Sequence, residues 1–362
     1  MSSKRRWVLV ALIALASVAA GCARPAGKPQ GPQGASAVSL NGAGASFPYP
    51  LYSKWFSDYA KANPGVQISY QSIGSGGGIQ QLKARTVDFG ASDAPLSDKE
   101  AKSMPAPVVH IPTVAGAVAV AYNVPELKQP LKLDGPALAG IYAGEITRWE
   151  DPKLAALNPT EKLPDTAITV VHRSDGSGTS YLFASYLAAV STGWASKVGA
   201  GKSVKWPAGI GAKGNEGVTG VVKQTPGAIG YVELAYATQN HLSVAVLKDG
   251  AGAFVAPTVS STTAAAAGAA AAVQKDVRAS LINSPAAGAY PIAGFTYLLV
   301  YREQSDRKKA EALARFLLWA MTEGQQQAAP LLYAPLPPAV VKMNEAAIHG
   351  LTSQGTPALP ER

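Results

Sequence analysis

The chain has 362 residues, 47% of them apolar and 15% charged, with a formal net charge of +9 and a single cysteine. That balance excludes a disordered chain, and the length suits two lobes with buried cores or one large α/β unit. A lone thiol excludes an internal disulfide, and the absence of any Lys/Arg block interleaved with aromatics argues against nucleic acid as a partner.

In chain order, Lys4, Arg5 and Arg6 precede an apolar run from Trp7 to Ala20, the pattern of a secretory signal and too short for a lasting membrane span. If the signal leaves, those three cations leave with it, and the remaining mild positive excess suits the collection of a small anion. Cys22 closes "LASVAAGC", which resembles a bacterial lipobox with Ala19 where a larger aliphatic residue is usual. Lipidation at Cys22 would anchor the chain to a membrane; ordinary cleavage, with the cysteine lost or free, is the alternative. Residues 1–22 are therefore expected to be a signal peptide with a lipobox, and the Pro/Gly-rich 23–39 a flexible tether.

From about residue 40, short β-like runs alternate with helical stretches, the mark of an α/β fold. "LYSKWFSDYAKANPG" puts Leu51, Trp55, Phe56 and Tyr59 on one helical stripe, stopped by Pro64-Gly65. "VQISY" alternates as a strand. The following "GGGIQQLKARTVDFGASDAPLSDKEAK" predicts a turn, a helix, a strand over 87–91 and a helix capped by Ser97 with Glu100 three residues on. "VVHIPTVAGAVAVAYN" and "YPIAGFTYLLVYR" are long extended apolar segments, suited to crossing between lobes. "TAITVVHRSDGSGTSYLFASYLAAV" predicts a strand over 167–171, a glycine loop and a helix, and "PGAIGYVE" a buried strand. "SDRKKAEALARFLLWAMTEG" is the clearest helix, with Ser305 as cap, Leu313, Phe316, Leu317 and Ala320 as its stripe and Gly324 as its stop. The alanine-rich run 264–272 reads as helix-permissive surface filler.

The chemistry concentrates in "HRSDGSGTS", residues 172–180. Gly176 and Gly178 let the backbone turn and approach a ligand closely, and a helix starting near Thr179 presents unpaired N–H groups. Those donors, the hydroxyls of Ser177 and Thr179, and the planar fork of Arg173 together form a seat for an oxyanion. The same residues also read as an ordinary capped strand-to-helix turn. "GAGASFPYP" with Ser46 and Phe47, "IGSGGG" with Ser75, and "VDFGASDAP" with Asp93 repeat this grammar. Asp93 by itself reads most simply as the cap of the Asp-Ala-Pro turn.

Enzyme motifs are incomplete. Gly201-Lys202-Ser203 shares the end of a P-loop, but Ser196 stands where the loop needs its first glycine. The histidines at 110, 172, 241 and 349 have no metal-ligand spacing. His172 is the only base near Ser177 that a hydrolase could use. No enzymatic activity, metal or cofactor is expected.

Five blocks, "LNGAGASFPYPLYSKW", "GSGGGIQQLKARTVDFGASDAPLS", "RSDGSGTSYLF", "VKWPAGIGAKGNEGV" and "TPGAIGYVELAYA", occur in the order found in the substrate-binding protein of the bacterial high-affinity phosphate ABC transporter, which the chain resembles from about Leu40 almost to its end. The resemblance implies a type II-like periplasmic-binding-protein fold: two α/β lobes, joined by extended crossovers, with the ligand in the cleft. Lobe one would take 40–112 and 291–345, lobe two 113–290, leaving 346–362 as a C-terminal tail. It further implies phosphate ligands at Ser46, Phe47 (backbone N–H), Ser75, Asp93, Arg173, Ser177, Gly178 and Thr179. Asp175 would pair with Arg173 and hold its fork. Ser46 stands where the family usually has threonine, keeping the hydroxyl and losing the methyl. The implied life of the chain is that of an exported monomer, in the periplasm or on the outer membrane face, which hands inorganic phosphate to a membrane permease. A carboxylate at 93 makes chemical sense there, because a protonated phosphate can donate to it and sulfate cannot. Rival readings are a receptor for another tetrahedral oxyanion and a secreted phosphatase.

Overall fold

The computed structural model describes residues 37–360; the signal, Cys22 and the tether as far as Ser36 lie outside the described residues. One path of strands runs through the molecule in the order Val66–Ser72, Val38–Gly44, Phe89–Ser92, Ala293–Tyr301, Val108–Tyr122, Ala228–Glu233, Thr169–Arg173, Ile210–Ala212. In the first lobe Val38–Gly44 pairs in parallel with both of its neighbours. In the second, Thr169–Arg173 pairs in parallel with Ala228–Glu233 and with Ile210–Ala212.

The long strand Val108–Tyr122 joins the two halves. Its first part runs antiparallel to Ala293–Tyr301 as far as Ala117, and from Val118 it pairs with Ala228–Glu233 instead. Both long strands are buried almost throughout. That burial explains their continuous apolar sequence, since a strand covered on both faces has no reason to alternate.

Helices close the faces. Tyr49–Ala62 buries Leu51, Tyr52, Trp55, Phe56 and Tyr59 against helix Arg307–Met321, with ring centroids of Phe56 and Phe316 5.5 Å apart. The cap of the latter helix is Asp306, whose side chain accepts from Lys309 N at 3.0 Å, and not Ser305. A carboxylate in the adjacent position is the better acceptor for the helix's positive end. That helix also stops at Met321, short of Gly324, whose carbonyl instead accepts from Trp55 Nε1 at 2.9 Å. The two strands entering the glycine loops are displaced by two residues from expectation at their starts, to Phe89–Ser92 and Thr169–Arg173. The alanine run is more than surface filler: within helix Val259–Gly268, Ala265 and Ala266 are buried, and their small side chains let the helix pack on Val108–Tyr122. Beyond residue 345 the chain stays folded. Helix Pro338–His349 is followed by Thr352–Ser353 and Thr356–Pro357, which form a small sheet with Glu303–Gln304 and bury Leu351 and Ala358.

Candidate anion site

The candidate residues stand at carboxyl ends of strands and at the helix starts that follow, where open α/β sheets place ligands. Ser46 and Phe47 follow Val38–Gly44; Ser75 opens helix Ser75–Lys83; Asp93 follows Phe89–Ser92; Arg173 ends Thr169–Arg173. Ser177 caps helix Gly178–Val190, its Oγ accepting from Ser180 N at 3.0 Å, and Gly178 and Thr179 are that helix's first residues. Ser46, Ser75, Asp93, Arg173, Ser177 and Thr179 are all at most 3% exposed. Phe47 puts its ring into the core beside Tyr333, so its backbone is what it can offer a ligand.

Contacts between lobes draw these residues together. Ser75 Oγ accepts from Gly178 N at 3.0 Å across the cleft and from Asp93 N at 3.3 Å. Ser46 Oγ accepts from Asn215 N at 3.1 Å and Asn215 Nδ2 at 2.9 Å. Thr179 Oγ1 accepts from that same Nδ2 at 3.2 Å and from Arg173 Nη1 at 3.3 Å. A hydroxyl has two lone pairs and one proton. Ser46, Ser75 and Thr179 each have both lone pairs engaged by protein donors, so what each retains is its O–H. The arrangement makes neutral, adaptable side chains act as donors, and donors are what an oxyanion needs. The backbone N–H groups of Ser46 and Phe47 find no acceptor among the described residues, which adds two more.

Arg173 brings the fixed positive charge. Its side chain is 1% exposed, and its Nε and Nη2 grip Asp175 Oδ1 and Oδ2 at 2.7 and 2.5 Å. Burial raises the Asp175 carboxyl, but the Arg173 fork and the Gly214 N–H outweigh it and hold the group below the usual carboxylate range. Asp175 therefore stays charged and fixes the guanidinium, leaving Nη1 for Thr179. Gly74, at φ 85°, is required beside this pair: a Cβ there would meet Asp175 Oδ2 at 2.1 Å.

Asp93 sets a carboxylate among the donors. Thr296 Oγ1 donates to its Oδ1 at 2.8 Å. Burial pushes its carboxyl up to about 7, against the Thr296 hydrogen bond and the Arg173 charge, which pull it down. The cap of the Asp-Ala-Pro turn is Ser92, whose Oγ accepts from Ala94 N at 3.2 Å, and not Asp93; Asp93 is instead a titratable acceptor inside a cluster of donors.

Sequence reasoning missed Asn215, which bridges Ser46 to Thr179 and whose Oδ1 accepts from Glu233 N at 2.9 Å. Its signal was available, since Ile210–Ala212, Gly214 and the helix that follows repeat the strand–glycine–helix grammar of the other loops. Thr296 lies inside a crossover strand and carries no local signal; neither does Tyr236, whose O–H donates to Ser46 O at 2.7 Å. His172 is not placed to activate Ser177: it stacks on Trp206 at 5.1 Å and its Nδ1 lies 3.1 Å from Arg173 O. Among the described residues no cluster of His, Cys, Asp and Glu could hold a metal ion.

Two α/β lobes joined by long crossover strands, with a buried polar site at strand ends between them, define a two-lobed binding protein of the periplasmic type. Residues 30–323 match the family model for a PBP superfamily domain. The chain is 46% identical over 310 residues to the phosphate-binding protein PstS of Xylella fastidiosa strain Temecula1, covering 85% of this chain and 84% of that one. It is likewise 46% identical over 308 residues to the PstS of Haemophilus influenzae, covering 85% and 91%. Among solved structures it is similar in fold to a high-affinity periplasmic phosphate-binding protein with bound phosphate, at TM-score 0.67 and 22% identity over 85% of this chain and 93% of that one. The chain belongs to the PBP superfamily and, within it, to the PstS family of phosphate-binding proteins.

Proposed function

We propose that this chain is the receptor of a phosphate ABC importer: it takes up inorganic phosphate between its lobes and delivers it to a membrane permease. The observation that carries this reading is the pairing of hydroxyl, amide and guanidinium donors with a buried carboxylate acceptor, Asp93. Donors from Ser46, Phe47, Ser75, Arg173, Ser177 and Thr179 replace the water around the phosphate oxygens without bringing a mobile countercharge, and Gly178, expected as a direct ligand, spends its N–H on Ser75 Oγ instead. The Asp93 carboxylate accepts a hydrogen bond from the O–H that phosphate still carries at neutral pH. A receptor for sulfate or molybdate would gain nothing from a carboxylate at this position, because acceptor would face acceptor in a dry site. A phosphatase would need a nucleophile beside a base, and His172 is turned onto Trp206. The relatives are named as binding proteins, not as enzymes.

The reading extends to an exported monomer working outside the cytoplasm and held to a membrane through lipid at Cys22. In keeping with this, no helix among the described residues is long and apolar enough to cross a membrane. Calorimetric titration of the ligand-stripped protein at pH 8 tests the core of it. One phosphate per chain with no sulfate heat is expected; equal affinity for the two anions, or binding of neither, overturns it.

A further inference from the structure

Gly201-Lys202-Ser203 has no place in a nucleotide site, yet Lys202 occupies a pointed position. Its carbonyl accepts from Ser177 N at 2.8 Å, directly at the cap of the anion-loop helix. Its Nζ lies 2.8 Å from Glu100 Oε1 and 2.9 Å from Glu100 Oε2. Glu100 stands on helix Asp98–Ser103, between two strands of the first lobe, and Lys202 stands in the loop before Ile210–Ala212 in the second. The ion pair therefore spans the cleft. Glu100 is also held from behind, because its Oε2 accepts from the N–H and Oγ of Ser97 at 3.0 Å each. Close by, Gly76 N donates to Gly176 O at 2.8 Å, a second link between the lobes within one residue of Ser75 and Ser177.

We propose that Glu100 and Lys202 are positioning residues that latch the lobes shut over the bound anion and set its rate of release. The proposal rests on the phosphate-binding reading. Neither side chain belongs to the cluster that would touch the ligand. The pair forms only when the lobes meet, so it favours the closed state alone and shifts the open–closed balance by its own differential energy. The side chains are only 19% and 31% exposed, so the pair is less screened than an ordinary surface bridge. Because Lys202 carries Ser177 on its carbonyl, opening the latch also loosens the loop that seats the anion.

The test is stopped-flow measurement of phosphate association and release on the mature chain. Lys202→Met keeps the stem without the charge, and Glu100→Gln keeps the capping partner of Ser97 without the charge. Each should speed release about three- to tenfold, with association changed less than about twofold and sulfate still rejected. The double variant should release no faster than the faster single variant, and Glu100→Lys with Lys202→Glu should recover part of the loss. Release unchanged in both single variants, or effects that simply multiply in the double variant, overturns the latch. Failure of the wild type to bind phosphate would instead overturn the functional reading. The latch is then judged by spin-label distances between Lys83 and Lys223 positions: a wider distribution in Lys202→Met supports it, and an unchanged one refutes it.

Discussion

Replacing Asp93 by asparagine should convert a phosphate-selective site into one that admits sulfate. The side chain is 2% exposed, and Thr296 holds its Oδ1, which would keep the asparagine carbonyl there and put the amide in place of Oδ2. In the wild type a bound sulfate sets an acceptor against a carboxylate where no water can intervene, a penalty of about 3 kcal/mol or more, since a charged group left unpaired exceeds the neutral range. At pH 8 sulfate can escape that penalty by protonating Asp93, so removing the carboxylate should tighten sulfate binding about tenfold there, while phosphate loses the acceptor for its proton and weakens. The wild type offers an internal control. With its carboxyl near 7, Asp93 is about nine-tenths ionised at pH 8 and about nine-tenths protonated at pH 6. Sulfate affinity should thus climb about tenfold from pH 8 to pH 6 in the wild type and stay flat in Asp93→Asn. Calorimetric titration with sulfate at both pH values reads all four numbers. Complete rejection of sulfate by the asparagine variant, or a pH dependence that survives the substitution, would falsify the proton-reading role of Asp93.

Three further outcomes follow from the same geometry. Gly178→Ala should abolish high-affinity phosphate binding while the thermal midpoint of the ligand-free protein holds, because the added Cβ would lie 2.5 Å from Asp93 Oδ2 and 2.6 Å from Ser75 Oγ; retained affinity in a titration would contradict the close approach. Asn215→Ala should weaken phosphate by about tenfold, the worth of a buried hydrogen-bond bridge, with sulfate still excluded because Asp93 is untouched; a loss of selectivity would show that Asn215 does more than hold Ser46 and Thr179. Glu233 is fully buried, its Oε1 has no partner among the described residues, and burial raises its carboxyl far above the usual range. Folded Glu233 keeps a proton that the unfolded chain releases, so stability present below the unfolded value is lost as pH rises, at up to about 1.4 kcal/mol per unit until the folded group ionises. Glu233→Gln has no such proton, and its urea midpoint should fall less than the wild type's between pH 5 and pH 8; parallel slopes would mean that Glu233 is ionised in the fold.

The glycine loops were legible because their signals are local. A glycine that must turn, a hydroxyl that can cap and a helix that begins at once are neighbours in sequence, and "HRSDGSGTS" carries all three within nine residues. The crossover strands were legible for a related reason, since burial on both faces leaves an unbroken apolar run. The exact cap at Asp306 was not, because Ser305 and Asp306 are both good N-caps and only the chain's path into the helix chooses between them.

What the sequence determined alone was the set of parts: α/β layering, glycine loops with donors at helix starts, an arginine with its carboxylate two residues on, and one acid whose purpose it left open. The tertiary structure decided how those parts act. Asp93 becomes a titratable acceptor through burial and through Thr296, which is 203 positions away in the chain. Ser46, Ser75 and Thr179 become donors because partners from distant segments occupy their lone pairs. Lys202 meets Glu100 from 102 positions away in the chain. Burial and hydrogen-bond direction are properties of the assembled neighbourhood, and no stretch of residues carries them by itself.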